Sequence, residues 1–126
     1  MIEKDRIIAV TGCFDPLSLE ELNFLKLCKM KGDWLVVGVH SDWWLNWSLG
    51  GFVHNYETRR EIIKSLKYVD EVFTFNDSDG TIMQFLKLVK ICYPDALITY
   101  ISNDDMFNQP ETRIRGITFE RLKWEN

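Results

Sequence analysis

Short apolar runs alternate with amphipathic segments along almost the whole chain, and this alternation restricts the possible folds more than any other feature. The apolar runs predict strands at Arg6–Thr11, Trp34–Val39, Glu71–Phe75, Ala96–Ile101 and Ile117–Leu122. The segments between them predict helices at Leu19–Lys31, Tyr56–Lys67 and Thr81–Ile91. Strands separated by helices of this length form βαβ units. The sequence therefore predicts an α/β fold, with a Rossmann-like parallel five-stranded sheet, the first strand central and helices on both faces.

The composition is typical of a soluble globular protein. The chain has 126 residues, 46% of them hydrophobic and 27% charged, which predicts a single domain over residues 1–126. The net charge is −4 and the basic residues are scattered, so neither nucleic acid nor an anionic membrane is expected as a partner.

The cysteines and the N-terminus add expectations about location and metals. Cys13, Cys28 and Cys92 are far apart and form no zinc-binding motif, so we expect no metal site and a reducing compartment. The N-terminal segment has neither the pattern of a signal peptide nor that of a membrane span, and we predict a cytoplasmic protein.

The segment that follows the first strand, TGCFDPLSLEEL, is the predicted site. In an open α/β sheet the ligand crevice lies outside the carboxyl ends of the strands, and this segment leaves that end of the first strand. A helix that begins there could bind phosphate through its free backbone N–H groups. However, Ser18 and Glu21 have the spacing of a capping box, which would give those groups internal partners. Glu20 and Glu21 would also repel a phosphate.

Five separate motifs together resemble one family. The segments are GCFDPLSLEEL, GDWLVVGVHSD, YETRREIIKSLKYVDEV, FNDSDG and SNDDMFNQPE. In this order they resemble small nucleotidyltransferases of the cytidylyltransferase superfamily, such as glycerol-3-phosphate cytidylyltransferase and heptose-phosphate adenylyltransferase-like proteins. The resemblance implies a Rossmann-like fold and commonly a dimer. It also implies transfer of a nucleotide from CTP or ATP to a phosphorylated small molecule, with release of pyrophosphate and help from magnesium.

Mapped onto this chain, the family motif Gly-x-Phe-Asp-x-x-His-x-Gly-His is only partly present. Ser18 and Glu21 stand at the two histidine positions, and Glu20 stands at the glycine position. The stretch that carries a phosphate-binding lysine in the family aligns with Asn46–Gly51, which contains no lysine. The resemblance therefore leaves a vestigial nucleotide site made of Gly12, Phe14, Asp15, Arg59 and Asp104.

The sequence supports a main hypothesis and two alternatives. The main hypothesis is a pseudoenzyme that has lost the transfer chemistry and has a structural or binding role, with no resident cofactor. One alternative is an active cytidylyl- or adenylyltransferase that uses CTP or ATP with magnesium, and the other is a module that binds nucleotide without turnover. For Ser18, Glu20 and Glu21 a simple helix cap is favoured over a rebuilt carboxylate site. Such a site could hold a metal together with Asp15, Asp104 and Asp105.

The remaining polar motifs have structural interpretations. His40 and His54 are expected to be structural or incidental, with a ligand role for His40 at the crevice as the alternative. FNDSDG is typical of a loop that ends in the cap of the next helix, at Asp77, Ser78 or Asp79.

Three tryptophans occur within five residues, at Trp43, Trp44 and Trp47. They could pack in the core, or they could form a protein interface, where tryptophan is enriched. We expect a homodimer or a complex with another protein through these rings.

Overall fold

The computed structural model describes residues 5–103 and 114–122. Within these residues the strands are β1 (Arg6–Gly12), β2 (Trp34–Val39), β3 (Glu71–Phe73), β4 (Leu97–Ser102) and β5 (Ile117–Arg121). The helices are α1 (Leu19–Lys29), α2 (Asp42–Leu49), α3 (Tyr56–Lys64) and α4 (Met83–Cys92). The strands form one parallel sheet in the order β3-β2-β1-β4-β5. The predicted fold, including the central position of β1, is confirmed.

The strand β1 is buried on both faces because each face is covered by helices. Ile7 and Ala9 belong to a cluster with α4 residues such as Phe85, Leu86 and Val89. The alternate residues Ile8 and Val10 belong to a second cluster, which includes Phe24, Leu25 and Cys28 of α1 and Ile63 of α3. This arrangement explains why the strand reads as a continuous apolar run rather than an alternating one.

Most helices and strands begin where the sequence predicts, but several of them end earlier than predicted. α1 ends at Lys29, α3 at Lys64 and β3 at Phe73, each two or three residues earlier than predicted. α2 is a helix that the sequence pattern left undecided, and it begins because the Ser41 side chain accepts a hydrogen bond from the backbone N–H of Trp44.

The predicted cap of α4 was wrong. Ile82 stands at the N-cap and makes no side-chain capping hydrogen bond, so Asp77, Ser78 and Asp79 do not cap this helix. The Asp77 carboxylate instead accepts hydrogen bonds across the structure from Ser41, and Asp79 accepts from the backbone N–H of Thr81 within its own turn. Local turn chemistry and a long-range partner therefore take the side chains that the pattern assigned to the helix.

The close packing of α4 on β2 depends on Gly38. A Cβ atom at Gly38 would lie 2.7 Å from Cδ1 of Phe85 and 2.9 Å from Cε1 of Phe75. We expect Gly38→Ala to lower the free energy of unfolding by about 1–3 kcal/mol, because added volume in a packed core forces neighbouring rings to move. Urea denaturation measures the change. The cost should be smaller in a Phe85→Leu background, and equal costs in both backgrounds would contradict this packing.

Candidate functional site

The first turn after β1 is shaped by a contact between Gly12 and Phe14. Phe14 has a φ of 51°, which is unusual for a residue with a side chain, and it is buried. Its ring lies so close to Gly12 that a Cβ atom there would be 2.5 Å from Cζ of Phe14. Gly12 and Phe14 therefore fit each other in a tight turn at the carboxyl end of the central strand.

The capping box at the start of α1 is formed, as the sequence predicts. The backbone N–H of Glu21 donates to Oγ of Ser18 at 3.1 Å, and the backbone N–H of Ser18 donates to Oε1 of Glu21 at 3.0 Å. Glu20 lies in the same first turn and is exposed. Two backbone N–H groups at this helix start therefore have internal partners, and two carboxylates lie beside them.

Asp15 ties the turn after β1 to the loop between α2 and α3. Its two carboxylate oxygens accept hydrogen bonds from the backbone N–H groups of Val53 and His54, each at 2.6 Å. Burial opposes ionisation of this carboxyl, but the two N–H donors and the nearby Arg59 outweigh it and hold the pKa of Asp15 below its ordinary value. Asp15 is therefore a negatively charged anchor for this loop.

Arg59 is fully buried and connects four separate parts of the site. Its Nη1 donates to the carbonyl oxygens of Cys13 at 3.1 Å and His40 at 2.7 Å, which follow β1 and β2. Its Nε donates to the carbonyl of His54 at 2.9 Å, and its Nη2 donates to the Asp42 carboxylate at the start of α2, also at 2.9 Å. The guanidinium group fixes the relative positions of these segments.

The crevice between β1 and β4 is bridged by side chains that the sequence analysis did not single out. The strand order changes direction at this pair of strands, which is where open α/β sheets bind ligands. The hydroxyl groups of Thr11 and Tyr100 lie 2.6 Å apart there, and Tyr100 is buried. Alternation along β4 could have placed Tyr100 on the α4 face, but its partner depends on the register between the two strands.

Cys13 and His40 also lie near this edge of the sheet. Burial raises the pKa of Cys13 to about 11, although Arg59 opposes the shift, so the thiol is protonated near neutral pH and is a poor nucleophile. His40 is buried and its Nδ1 lies 3.0 Å from Oδ2 of Asp77. His54 joins the site through its backbone.

The three tryptophans divide between two environments. Trp44 is partly buried and stacks on the His40 ring, with the ring centroids 4.0 Å apart. Trp43 and Trp47 stack on each other at 5.4 Å and are 44% and 59% exposed. We call the exposed rings of Trp43 and Trp47 the aromatic face.

Some predicted groups lie outside the described residues. Asp104, the predicted remnant of the family motif after β4, is among them, and so is Asp105 of the alternative metal site. Within residues 5–103 and 114–122, no group of three or more histidine, cysteine or acidic side chains is arranged to hold a metal ion. In the same part of the chain, no helix is long and apolar enough to span a bilayer.

The fold and the turn after β1 define the class of protein. A family model described as cytidylyltransferase-like matches residues 9–121, and the chain belongs to this family. The predicted resemblance is thereby confirmed.

The chain is similar to both curated enzymes and solved structures. An FAD synthase from Thermococcus kodakarensis is 34% identical over 121 residues, which cover 92% of this chain and 77% of that protein. A probable ethanolamine-phosphate cytidylyltransferase from Encephalitozoon cuniculi is 41% identical over 61 residues, which cover 48% of this chain and only 19% of that protein. The crystal structure of a lipopolysaccharide core biosynthesis protein from Thermoplasma volcanium superposes with a TM-score of 0.70 and 26% identity, covering 96% of this chain and 98% of that one.

The role of Arg59 as a structural connection can be tested with the arginine beside it. Lysine cannot reproduce the forked donors of a buried guanidinium, so Arg59→Lys should leave carbonyl oxygens without partners. We expect it to lower the free energy of unfolding by about 3 kcal/mol. Arg60→Lys is the matched control, because Arg60 is partly exposed and forms an ion pair with its neighbour Glu61, and it should change stability little. Equal stability of the two variants in urea would contradict the role of Arg59.

Proposed function

We propose that this domain has lost the nucleotidyl-transfer chemistry of its family and acts as a protein-binding domain. The observation that carries the proposal is the closed capping box at the start of α1. Two N–H groups that would face a triphosphate have partners within the chain, and Glu20 and Glu21 add negative charge where phosphate would lie. Such a helix start favours folding by about 0.5–2 kcal/mol and disfavours anions.

Within the described residues, the family positions that this chain retains have internal structural partners. Gly12 and Phe14 pack against each other, Asp15 holds the loop at Val53 and His54, and Arg59 connects that loop to the strand ends. Each of these residues is therefore accounted for without a bound nucleotide. The resemblance implies that the two family histidines and the lysine contact the nucleotide phosphates, and this chain has Ser18 and Glu21 at the histidine positions and no lysine in Asn46–Gly51.

The expected losses in reaction rate favour the loss of nucleotidyl transfer. Removal of one preorganised donor to a transition state typically lowers the rate by about 10²–10³. Here both histidine positions are replaced, and no lysine lies between Asn46 and Gly51. Even with strong non-additivity between these groups, little of the family chemistry should survive.

The alternative is an active transferase. The 34% identity to an FAD synthase along most of the chain favours this reading. The substrates would then be CTP or ATP with magnesium and a phosphorylated acceptor, and the name of another relative suggests ethanolamine phosphate. On this reading Glu20 or Glu21 would have a catalytic or metal-binding role.

Substitution at the capping box distinguishes the two readings. We expect the unmodified chain to release no pyrophosphate from CTP or ATP with phosphorylated acceptors. The triple variant Ser18→His, Glu20→Gly, Glu21→His should unfold more easily, by about 1–3 kcal/mol, because it loses a cap and gains a glycine. The same variant should bind CTP or ATP more tightly, because it exposes backbone donors and removes two negative charges. Isothermal calorimetry and thermal shift measure both effects.

The opposite result has a clear signature. If the unmodified chain releases pyrophosphate and Glu21→Ala lowers the rate, the carboxylates take part in catalysis and the pseudoenzyme proposal is wrong. Glu61→Ala is the control, because Glu61 is an exposed glutamate on another helix.

The aromatic face is the surface that we propose for protein binding. The two stacked rings form one contiguous apolar patch at the surface. Tryptophan also contributes strongly to the binding energy of protein interfaces. Leu49 at the end of α2, and Phe52 and Val53 in the loop that follows, are also exposed. Asp42, the one charged residue of α2, is paired with Arg59.

Sedimentation tests self-association through this face. At micromolar concentration the unmodified chain should sediment as a dimer, and Trp47→Ala should shift it toward the monomer. Ile91→Ala removes a residue that is 73% exposed on α4 and should leave the dimer unchanged. A monomeric unmodified chain would exclude a second copy as the partner, and a dimer that persists in Trp47→Ala would place the interface elsewhere.

A further inference from the structure

His40 occupies an unusual position at the end of β2. Its side chain is only 6% exposed and lies between two aromatic rings. The Trp44 ring stacks on it at 4.0 Å with an interplanar angle of 17°, and the Phe75 ring meets it edge-on at 5.4 Å. An ionisable ring is thus part of the packing between the sheet and the first turn of α2.

The same histidine is joined to the loop before α4. Its Nδ1 lies 3.0 Å from Oδ2 of Asp77, and both carboxylate oxygens of Asp77 also accept hydrogen bonds from Ser41, the N-cap of α2. Trp47 reaches this loop as well, because a Cβ atom on Gly80 would lie 3.2 Å from the indole of Trp47. His40, Asp77 and Ser41 therefore hold the start of α2 in place.

Burial and the neighbouring charges shift the pKa of His40 in opposite directions. The Asp77 carboxylate favours the imidazolium form, whereas burial disfavours it and so does Arg59 of α3, whose Nη1 donates to the His40 carbonyl oxygen. Arg59 is itself paired with Asp42, which weakens its influence. Burial is the largest of these effects, and the pKa of His40 lies below its ordinary value of 6.5. The ring is therefore neutral at neutral pH.

A proton on this ring conflicts with the packing. Imidazolium has two N–H donors, and Asp77 already accepts from Nδ1 and from Ser41. The side chain is only 6% exposed, and a buried charged donor without a partner is costly, so protonation favours a displacement of the packed rings that lets water reach the second N–H. The unfolded chain takes up this proton more readily than the folded chain. Stability from the neutral ring is thus fully present above pH 6.5 and decreases as the pH falls through the lower pKa of the folded state.

We propose that His40 couples proton uptake to the position of α2, so that the neutral ring holds Trp44 and the helix start against β2 and the protonated ring releases them. The tryptophans of the aromatic face lie on the same short helix, so their presentation changes with the state of His40. This coupling is a property of the isolated chain and does not depend on whether the aromatic face binds a partner.

The experiment follows tryptophan fluorescence and the His40 imidazole NMR resonances from about pH 8 to about pH 5. Both signals should change together with a midpoint below 6.5, while far-UV circular dichroism stays constant. His40→Gln should abolish the fluorescence change, whereas His54→Gln, which alters the only other histidine of the chain, should keep it. Trp44→Phe should keep the NMR titration and lose most of the fluorescence change.

Asp77→Asn gives an independent measurement if His40→Gln does not fold. Removal of the carboxylate should move the His40 midpoint to lower pH, because Asp77 favours the protonated ring. A His40 midpoint at or above 6.5 would overturn the proposal, as would a fluorescence change that persists in His40→Gln. A titration of His40 by NMR with no change in tryptophan emission would show that the ring does not control α2.

Discussion

The buried guanidinium group of Arg59 is the interaction on which the carboxyl edge of the sheet depends. It binds the backbone carbonyls that follow β1 and β2, the loop before α3, and the carboxylate of Asp42 at the start of α2. A charge with no exposed surface is tolerated only where its donors have partners, and here each nitrogen has at least one. The turn after β1 and the position of α2 both follow from this arrangement.

The same edge is the place where the family implies a nucleotide, and in this chain its polar groups bind one another. Ser18 and Glu21 form a reciprocal pair, Asp15 accepts from two backbone N–H groups, and Thr11 and Tyr100 join β1 to β4. Polar groups that are hydrogen-bonded to one another must break those bonds before they can bind a ligand, and breaking the bonds costs free energy. This is the physical basis for the proposal that the site is stable and does not carry out transfer.

The sequence predicted the fold well because the fold rests on local patterns. The runs of apolar residues in β1 and β2 are dictated by burial on both faces, and Ser18 with Glu21 is a local motif whose partners are three residues apart. The failures involve partners distant in sequence. Asp77 was predicted to cap α4, but it binds His40 and Ser41, which lie 37 and 36 residues away. The Thr11–Tyr100 pair is separated by 89 residues and depends on the register of two strands.

The central claim is that the backbone N–H groups of Ser18 and Glu21, at the start of α1, already have partners within the chain and that a triphosphate does not bind there. Backbone amide NMR tests it directly, with the Ser18 and Glu21 resonances followed as CTP or ATP with magnesium is added to about one millimolar, the upper range of ordinary substrate affinities. We expect both amides to keep their positions and their slow hydrogen exchange throughout the titration. Saturable shifts of these two amides, with faster exchange as the capping hydrogen bonds open, would contradict the claim.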